Sequence, residues 1–88
     1  MLFQRMRYFV AVADCNSFTE AAEQCFISQS AISQQIAALE NDLGVRLIVR
    51  EGRKFRLTPA GEYFYQRSKA VLAEVEEAKA ETQRLGRD

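Results

Sequence analysis

The stretch Ser17-Phe18-Thr19-Glu20-Ala21-Ala22-Glu23-Gln24-Cys25-Phe26-Ile27-Ser28-Gln29-Ser30-Ala31-Ile32-Ser33-Gln34-Gln35-Ile36-Ala37-Ala38-Leu39-Glu40-Asn41-Asp42-Leu43 decides the fold. It reads as two helices joined by a tight turn. Phe18, Ala21, Ala22 and Cys25 follow the i, i+3, i+4, i+7 spacing of an apolar helix stripe. Ser17 precedes that stripe and Glu20 follows it by three, the arrangement of a capping box. Ile32, Ile36, Leu39 and Leu43 repeat the period, with Ser28 placed to cap the second helix. The opposite face carries Gln29, Ser30, Ser33 and Gln34, all uncharged hydrogen-bonding groups. A buried helix would place apolar residues there, and an ordinary solvated one would carry more charge. Side-chain amides and hydroxyls suit the reading of base edges in a major groove, so the pattern is that of a DNA-recognition helix-turn-helix.

Working outward, Leu2, Met6, Phe9, Val10 and Ala13 form an earlier helical stripe over roughly residues 2–14, broken by Asp14-Cys15-Asn16. The turn Cys25-Phe26-Ile27 lacks the glycine usual there, so one of its residues is expected in a strained backbone conformation. Gly44 sits where a helix stops. Leu47-Ile48-Val49 and Phe55-Arg56-Leu57 are short β-prone runs separated by Arg50-Glu51-Gly52-Arg53-Lys54, which reads as a hairpin. Thr58-Pro59 restarts a helix, threonine as cap and proline in the first turn. The predicted fold is mainly α: a winged helix-turn-helix of three helices plus a β-hairpin wing, with a long C-terminal helix. Residues 1–58 form the winged unit and 59–88 the long helix, ending in a short tail, Gly86-Arg87-Asp88.

Eighty-eight residues suffice for one modest core but not for an enclosed active site. No run approaches the ~20 apolar residues of a membrane span, and Arg5 and Arg7 interrupt any signal-peptide-like segment. Cys15 and Cys25 stand ten apart in a chain without histidine, which excludes a structural zinc site. We read both as small hydrophobes in a reducing, cytoplasmic compartment. No cofactor is expected, and the lack of histidine and of a glycine-rich phosphate loop argues against an enzyme. The charge is balanced, 12 basic against 12 acidic residues, but unevenly placed. From Tyr8 to Val45 there is no lysine or arginine. Arg46, Arg50, Arg53, Lys54 and Arg56 then follow against the single Glu51. Positive charge is thus concentrated directly after the polar-faced helix, where it suits local phosphate contact. A protein-binding winged helix would instead show exposed aromatic or leucine side chains.

The sequence resembles the N-terminal DNA-binding domain of LysR-type transcriptional regulators. The resemblance rests on Phe9-x-x-Val12-Ala13, Ser17-Phe18-Thr19-x-Ala21-Ala22 and the run Ser28-Gln29-Ser30-Ala31-Ile32-Ser33-Gln34-Gln35-Ile36. Leu39-Glu40-x-x-Leu43-Gly44-Val45-x-Leu47, Arg50, Arg53 and Leu57-Thr58-Pro59-Ala60-Gly61 complete it, in the same order and spacing. It implies a homodimer on double-stranded DNA, with a recognition helix at about 29–43 in each major groove and each wing toward the adjacent minor groove. Carried over, Ser28, Gln29, Ser30, Ser33 and Gln34 are the recognition-helix candidates. Arg50 and Arg53 are the wing arginines, Lys54 a phosphate contact, and Arg5 and Arg7 candidates for nearby backbone contacts. Many members have arginine at the positions of Gln34 and Ala37. Their absence here points to weaker binding and an A·T-leaning site.

In the long helix, Phe64, Val71, Val75, Ala78 and Leu85 fall on heptad-like positions, with Ser68 and Thr82 between them. A lone helix of this length needs a partner surface in water. The resemblance makes it the linker (dimerisation) helix, packed antiparallel against its twin, with Tyr63, Phe64 and Leu72 folding back on their own core. Two-fold symmetry then implies an interrupted palindrome as target. The resemblance also implies a C-terminal effector-binding domain that this chain lacks. It further implies a tetramer in a full-length parent and a bacterial, nucleoid-associated setting.

Overall fold

The computed structural model describes residues 2–88. The elements are α1 (Leu2–Cys15), α2 (Phe18–Cys25), α3 (Gln29–Leu43), β1 (Ile48–Glu51), β2 (Lys54–Leu57) and α4 (Pro59–Arg87). Three of the helices start in the same way, with a hydroxyl accepting a backbone N–H three residues on. Ser17 accepts from Glu20 at 3.1 Å, Ser28 from Ala31 at 3.1 Å and Thr58 from Gly61 at 3.0 Å. Each satisfies an N–H that the helix itself leaves unpaired. Gly44 closes α3, its N–H donating to the Glu40 carbonyl at 2.8 Å. The glycine-free turn is closed by Phe26 in the left-handed region at φ 59°, its ring almost fully exposed. That conformation costs a non-glycine residue roughly 1–2 kcal/mol. It is offset here by bonds from the Phe26 and Ile27 N–H groups to the last carbonyls of α2.

The helices α1, α2 and α3 pack around Phe9, Val12, Phe18, Ala21, Ile32 and Leu39, and Leu47 and Ile48 close the core from the start of the wing. The apolar face of α1 is set differently from the sequence expectation. Val12 is fully buried and Leu2 is exposed, because contacts with α2 and α3 select the face centred on Met6, Phe9 and Val12. Leu43, expected in the α3 stripe, is likewise exposed, since the helix ends there beyond the reach of the core.

The wing is a two-stranded antiparallel hairpin with Ile48 opposite Leu57 and Glu51 opposite Lys54. Its turn is therefore only Gly52-Arg53, tighter than the five-residue connection expected. Gly52 at φ 64° supplies the one positive φ that such a two-residue turn needs at its first position. Phe55 meets Phe18 edge-on at 5.4 Å, fixing the wing to the helical body.

Helix α4 runs for 29 residues, about 43 Å, and includes Gly86 and Arg87, where the sequence predicts a short tail. Gly61 lies so close to the wing that an added Cβ would sit 2.1 Å from the Leu47 carbonyl oxygen. Phe64 stacks at a tilt on Phe9, ring centroids 5.8 Å apart. Phe64 thus packs on this chain's own core, as its expected fold-back requires, and that packing takes it away from the dimer face on which its heptad position also placed it. Tyr63, expected to fold back, is exposed instead, because it lies one residue, about 100° of helix, away from Phe64. Beyond the core, Val71, Val75 and Leu85 are exposed on the 4-3 spacing.

Ser68 is fully buried, and its hydroxyl has no hydrogen-bond partner among the described residues. A buried hydroxyl without a partner costs roughly 1–3 kcal/mol. Ser68→Ala is therefore expected to stabilise the fold by about 1 kcal/mol. Thermal unfolding should show it as a melting temperature higher by about 5 °C; a lower one would mean that the hydroxyl is satisfied.

Candidate nucleic-acid interface

The α3 face that the sequence singled out is presented to solvent as a unit. Gln29, Ser30, Ser33 and Gln34 line one shallow open concavity, with Ser33 half-buried and the other three exposed. No acidic residue occupies the first turn of α3, so the positive end of its dipole is open to an anion. The Ser28 hydroxyl lies within the same turn but is committed to the cap, 3.4 Å from Ser30 Oγ.

The wing meets this face along its side. A groove of about 190 Å³ brings Thr19 and Gln29 together with Arg50, Arg53 and Phe55, and a neighbouring one joins Ser33 to Arg46 and Arg50. Arg50 is thus shared by both. Its guanidinium stands 4.5 Å from the centre of the Phe18 ring. A cation–π contact of this exposed kind is worth roughly 0.5–1 kcal/mol, enough to bias the side chain toward the groove without removing its charge. Arg53 occupies the hairpin tip and Lys54 the first position of β2.

The ion pairs show which cations are committed. Arg5 binds the Asp42 carboxylate, with Gln35 at 3.3 Å, and Arg7 lies 3.6 Å from Glu76. Arg46 pairs with Glu40 at 3.5 Å, Arg56 with Glu51 at 2.9 Å and Arg84 with Glu81 at 2.9 Å. Among the described residues, Arg50, Arg53 and Lys54 of the wing have no carboxylate partner, and neither do Arg67, Lys69, Lys79 and Arg87 of α4. Arg5 and Arg7, considered as further backbone contacts, are drawn into pairs within the chain. The acidic residues Glu74, Glu76, Glu77 and Glu81 lie in the C-terminal half of α4, away from the wing.

Three residues outside the expected set shape the site. Phe18, read only as core, supports Arg50. Thr19 donates its hydroxyl to Gln29 Oε1 at 3.1 Å. The Glu40 carboxylate accepts the N–H groups of Leu47 at 2.7 Å and Ile48 at 3.1 Å, and so docks the start of the wing onto α3. A signal for Glu40 was present: a carboxylate in the last turn of a helix opposes the helix dipole, which points to a tertiary partner. Asp42, in the same turn, is compensated similarly by Arg5.

Both thiols are free. Burial, followed by the Glu20 and Asp14 carboxylates, pushes the Cys15 thiol up from its ordinary value. Burial, followed by Cys15, does the same for Cys25. Both therefore stay neutral at physiological pH and pack as small hydrophobes rather than as nucleophiles. No described helix is long and apolar enough to cross a membrane.

Comparison with known proteins agrees with this geometry. Residues 3–62 match the model of the bacterial regulatory helix-turn-helix protein, lysR family. The chain is 47% identical over 85 residues to the Hca operon transcriptional activator HcaR of Escherichia coli K12, covering 97% of this chain and 29% of that protein. It is 40% identical over 85 residues to the transcriptional regulator BenM of Acinetobacter baylyi, covering 97% of this chain and 28% of BenM. The chain thus spans less than a third of the length of these curated relatives. Among solved structures, a BenM_DBD/catB site 1 DNA complex superposes with a TM-score of 0.93 at 40% identity, covering 98% of this chain and 97% of that one. A CbnR_DBD–DNA complex does so with a TM-score of 0.88 at 34% identity, covering 98% and 99%. A winged helix-turn-helix with this α3 face, this wing and these matches has one reading: the chain belongs to the lysR family of bacterial regulatory helix-turn-helix proteins.

Proposed function

We propose that this chain is the DNA-reading head of a cytoplasmic LysR-type transcription regulator, not an enzyme, and that it binds double-stranded DNA sequence-specifically as a homodimer. Residues 1–58 serve as the reading unit and 59–88 as the linker helix. α3 enters a major groove and offers Gln29, Ser30, Ser33 and Gln34 to the bases. Ser28 and Lys54 lie near the phosphates on either side. Arg50 and Arg53 point toward the adjacent minor groove, whose negative potential is strongest where A·T pairs narrow it.

The observation that carries this reading is the placement of uncommitted wing cations beside the polar α3 face. Among the described residues five arginines, Arg46 included, are tied to carboxylates, while Arg50, Arg53 and Lys54 are not. The DNA complexes of the BenM and CbnR DNA-binding domains support it. Val71, Val75, Ala78 and Leu85 form the dimer seam of α4, since three of these four are large apolar side chains left in water by the single chain. The target is then an interrupted palindrome. In the full-length parent an effector acts through a further C-terminal domain, and dimers associate into a tetramer.

Selection of duplexes from a randomised pool tests the whole reading. A two-fold-symmetric, A·T-leaning winner with a clear salt slope supports it; the absence of enrichment at low salt contradicts it. Gln29→Ala is expected to cost ~1–3 kcal/mol on the selected site and little on random DNA; equal losses would reduce Gln29 to a phosphate contact. Arg53→Ala should weaken binding most where A·T pairs flank the half-sites, as seen by titration of sites with exchanged flanks. Val71→Glu combined with Val75→Glu should give folded monomers by sedimentation, and an unchanged dimer would place the seam elsewhere.

A further inference from the structure

Thr19 and Gln29 are each free of structural duty. Ser17, not Thr19, caps α2, and Ser28, not Gln29, caps α3. Both side chains are exposed, and the one side-chain hydrogen bond described for either is the bond between them, Thr19 Oγ1 to Gln29 Oε1 at 3.1 Å. We propose that Thr19 is a specificity-determining positioning residue: its hydroxyl anchors the Gln29 amide at one place in the groove, so that the amide meets one base pair. The inference rests on the proposed base-reading role of Gln29.

A glutamine side chain has three rotatable bonds, and an exposed one carries its amide through many placements. A reader free to wander is a poor discriminator. Adenine offers an acceptor at N7 and a donor at N6, guanine presents two acceptors, and thymine one acceptor beside a methyl group, so a wandering amide finds some partner on most base pairs. The bond to Thr19 Oγ1 ties one end of the amide to α2 and restricts the other to one part of the groove. Because a hydroxyl both donates and accepts, it sets where the amide sits rather than which end it shows. In the free protein water competes for this bond. Once DNA covers the groove, water is displaced and the bond strengthens, so the anchor acts where discrimination is needed.

The test uses the 88-residue chain, its selected duplex, and that duplex with each base pair exchanged in turn. The pair read by Gln29 is the one whose exchange weakens the wild type but not Gln29→Ala. At that pair, Thr19→Val is expected to reduce discrimination about five-fold, with binding to random DNA unchanged. Thr19→Ser, which keeps the hydroxyl, should restore it, and Thr19→Val should add nothing to Gln29→Ala. Equal weakening on random DNA would make Thr19 a phosphate contact and overturn the proposal. So would full discrimination in Thr19→Val while Gln29→Ala still identifies its pair. If Gln29→Ala identifies no pair, the base-reading role of Gln29 fails and Thr19's falls with it. Melting curves of both Thr19 variants exclude unfolding as the cause of any loss.

Discussion

The placement of the wing depends on the backbone of a single short segment, Arg46 to Ile48. The Glu40 carboxylate, largely shielded from solvent, accepts two N–H groups from it, and such charge-assisted bonds are roughly twice as strong as neutral ones. From the other side, Thr58 donates its N–H to the Leu47 carbonyl at 2.9 Å and its hydroxyl to the Arg46 carbonyl at 2.7 Å. Thr58 caps α4 at the same time, so one residue orients both the hairpin and the long helix. Gly61 completes the junction by leaving only a hydrogen's room against Leu47. With the segment held from α3 and from α4, the hairpin has one available orientation. That orientation brings Arg50 to Phe18 and Arg53 to the groove edge.

The same economy governs charge. α3 ends in two acidic residues where its dipole disfavours them, and both are answered by distant basic groups, Asp42 by Arg5 and Glu40 by Arg46 and the wing backbone. Ion pairs with one partner in solvent, as both of these are, add little stability. Their larger effect is on which cations remain uncommitted. A chain of zero formal charge can therefore present locally positive surface to a polyanion.

Local rules made much of this structure legible in the sequence. Ser17, Ser28 and Thr58 act as caps because capping needs only a hydroxyl and a backbone N–H three residues on, a relation visible along the chain. The polar residues of α3 share a face because helical periodicity alone puts them there. What escaped was long-range. Whether Leu2 or Val12 faces inward is set by the neighbours of α1, not by its own periodicity. Phe64 fits a heptad and a core stripe equally well, and only the proximity of Phe9 decides between them. Thr19 and Gln29 are ten residues apart on different helices, and Glu40 reaches eight residues ahead, so neither contact follows from a spacing rule. The tight turn was hidden because Arg50 and Glu51 have no strand-like composition.

The carboxylates of α4 bear on how the molecule first meets DNA. Glu74 lies about 22 Å along the helix from Pro59, and Glu81 about 33 Å. Residues 74–88 hold five acidic groups against Lys79, Arg84 and Arg87, so with the wing cations beside the near end a modest excess of each sign is separated by tens of ångströms on a body 54 Å long. Such a charge distribution is an electric dipole, and a polyanionic rod exerts a torque on it before any contact forms. In a single chain the far end is repelled and the wing end attracted, so productive orientations are enriched among encounters even though the net attraction is nil. Added salt, by shortening the range of that field, would slow capture as well as loosen the phosphate contacts once formed.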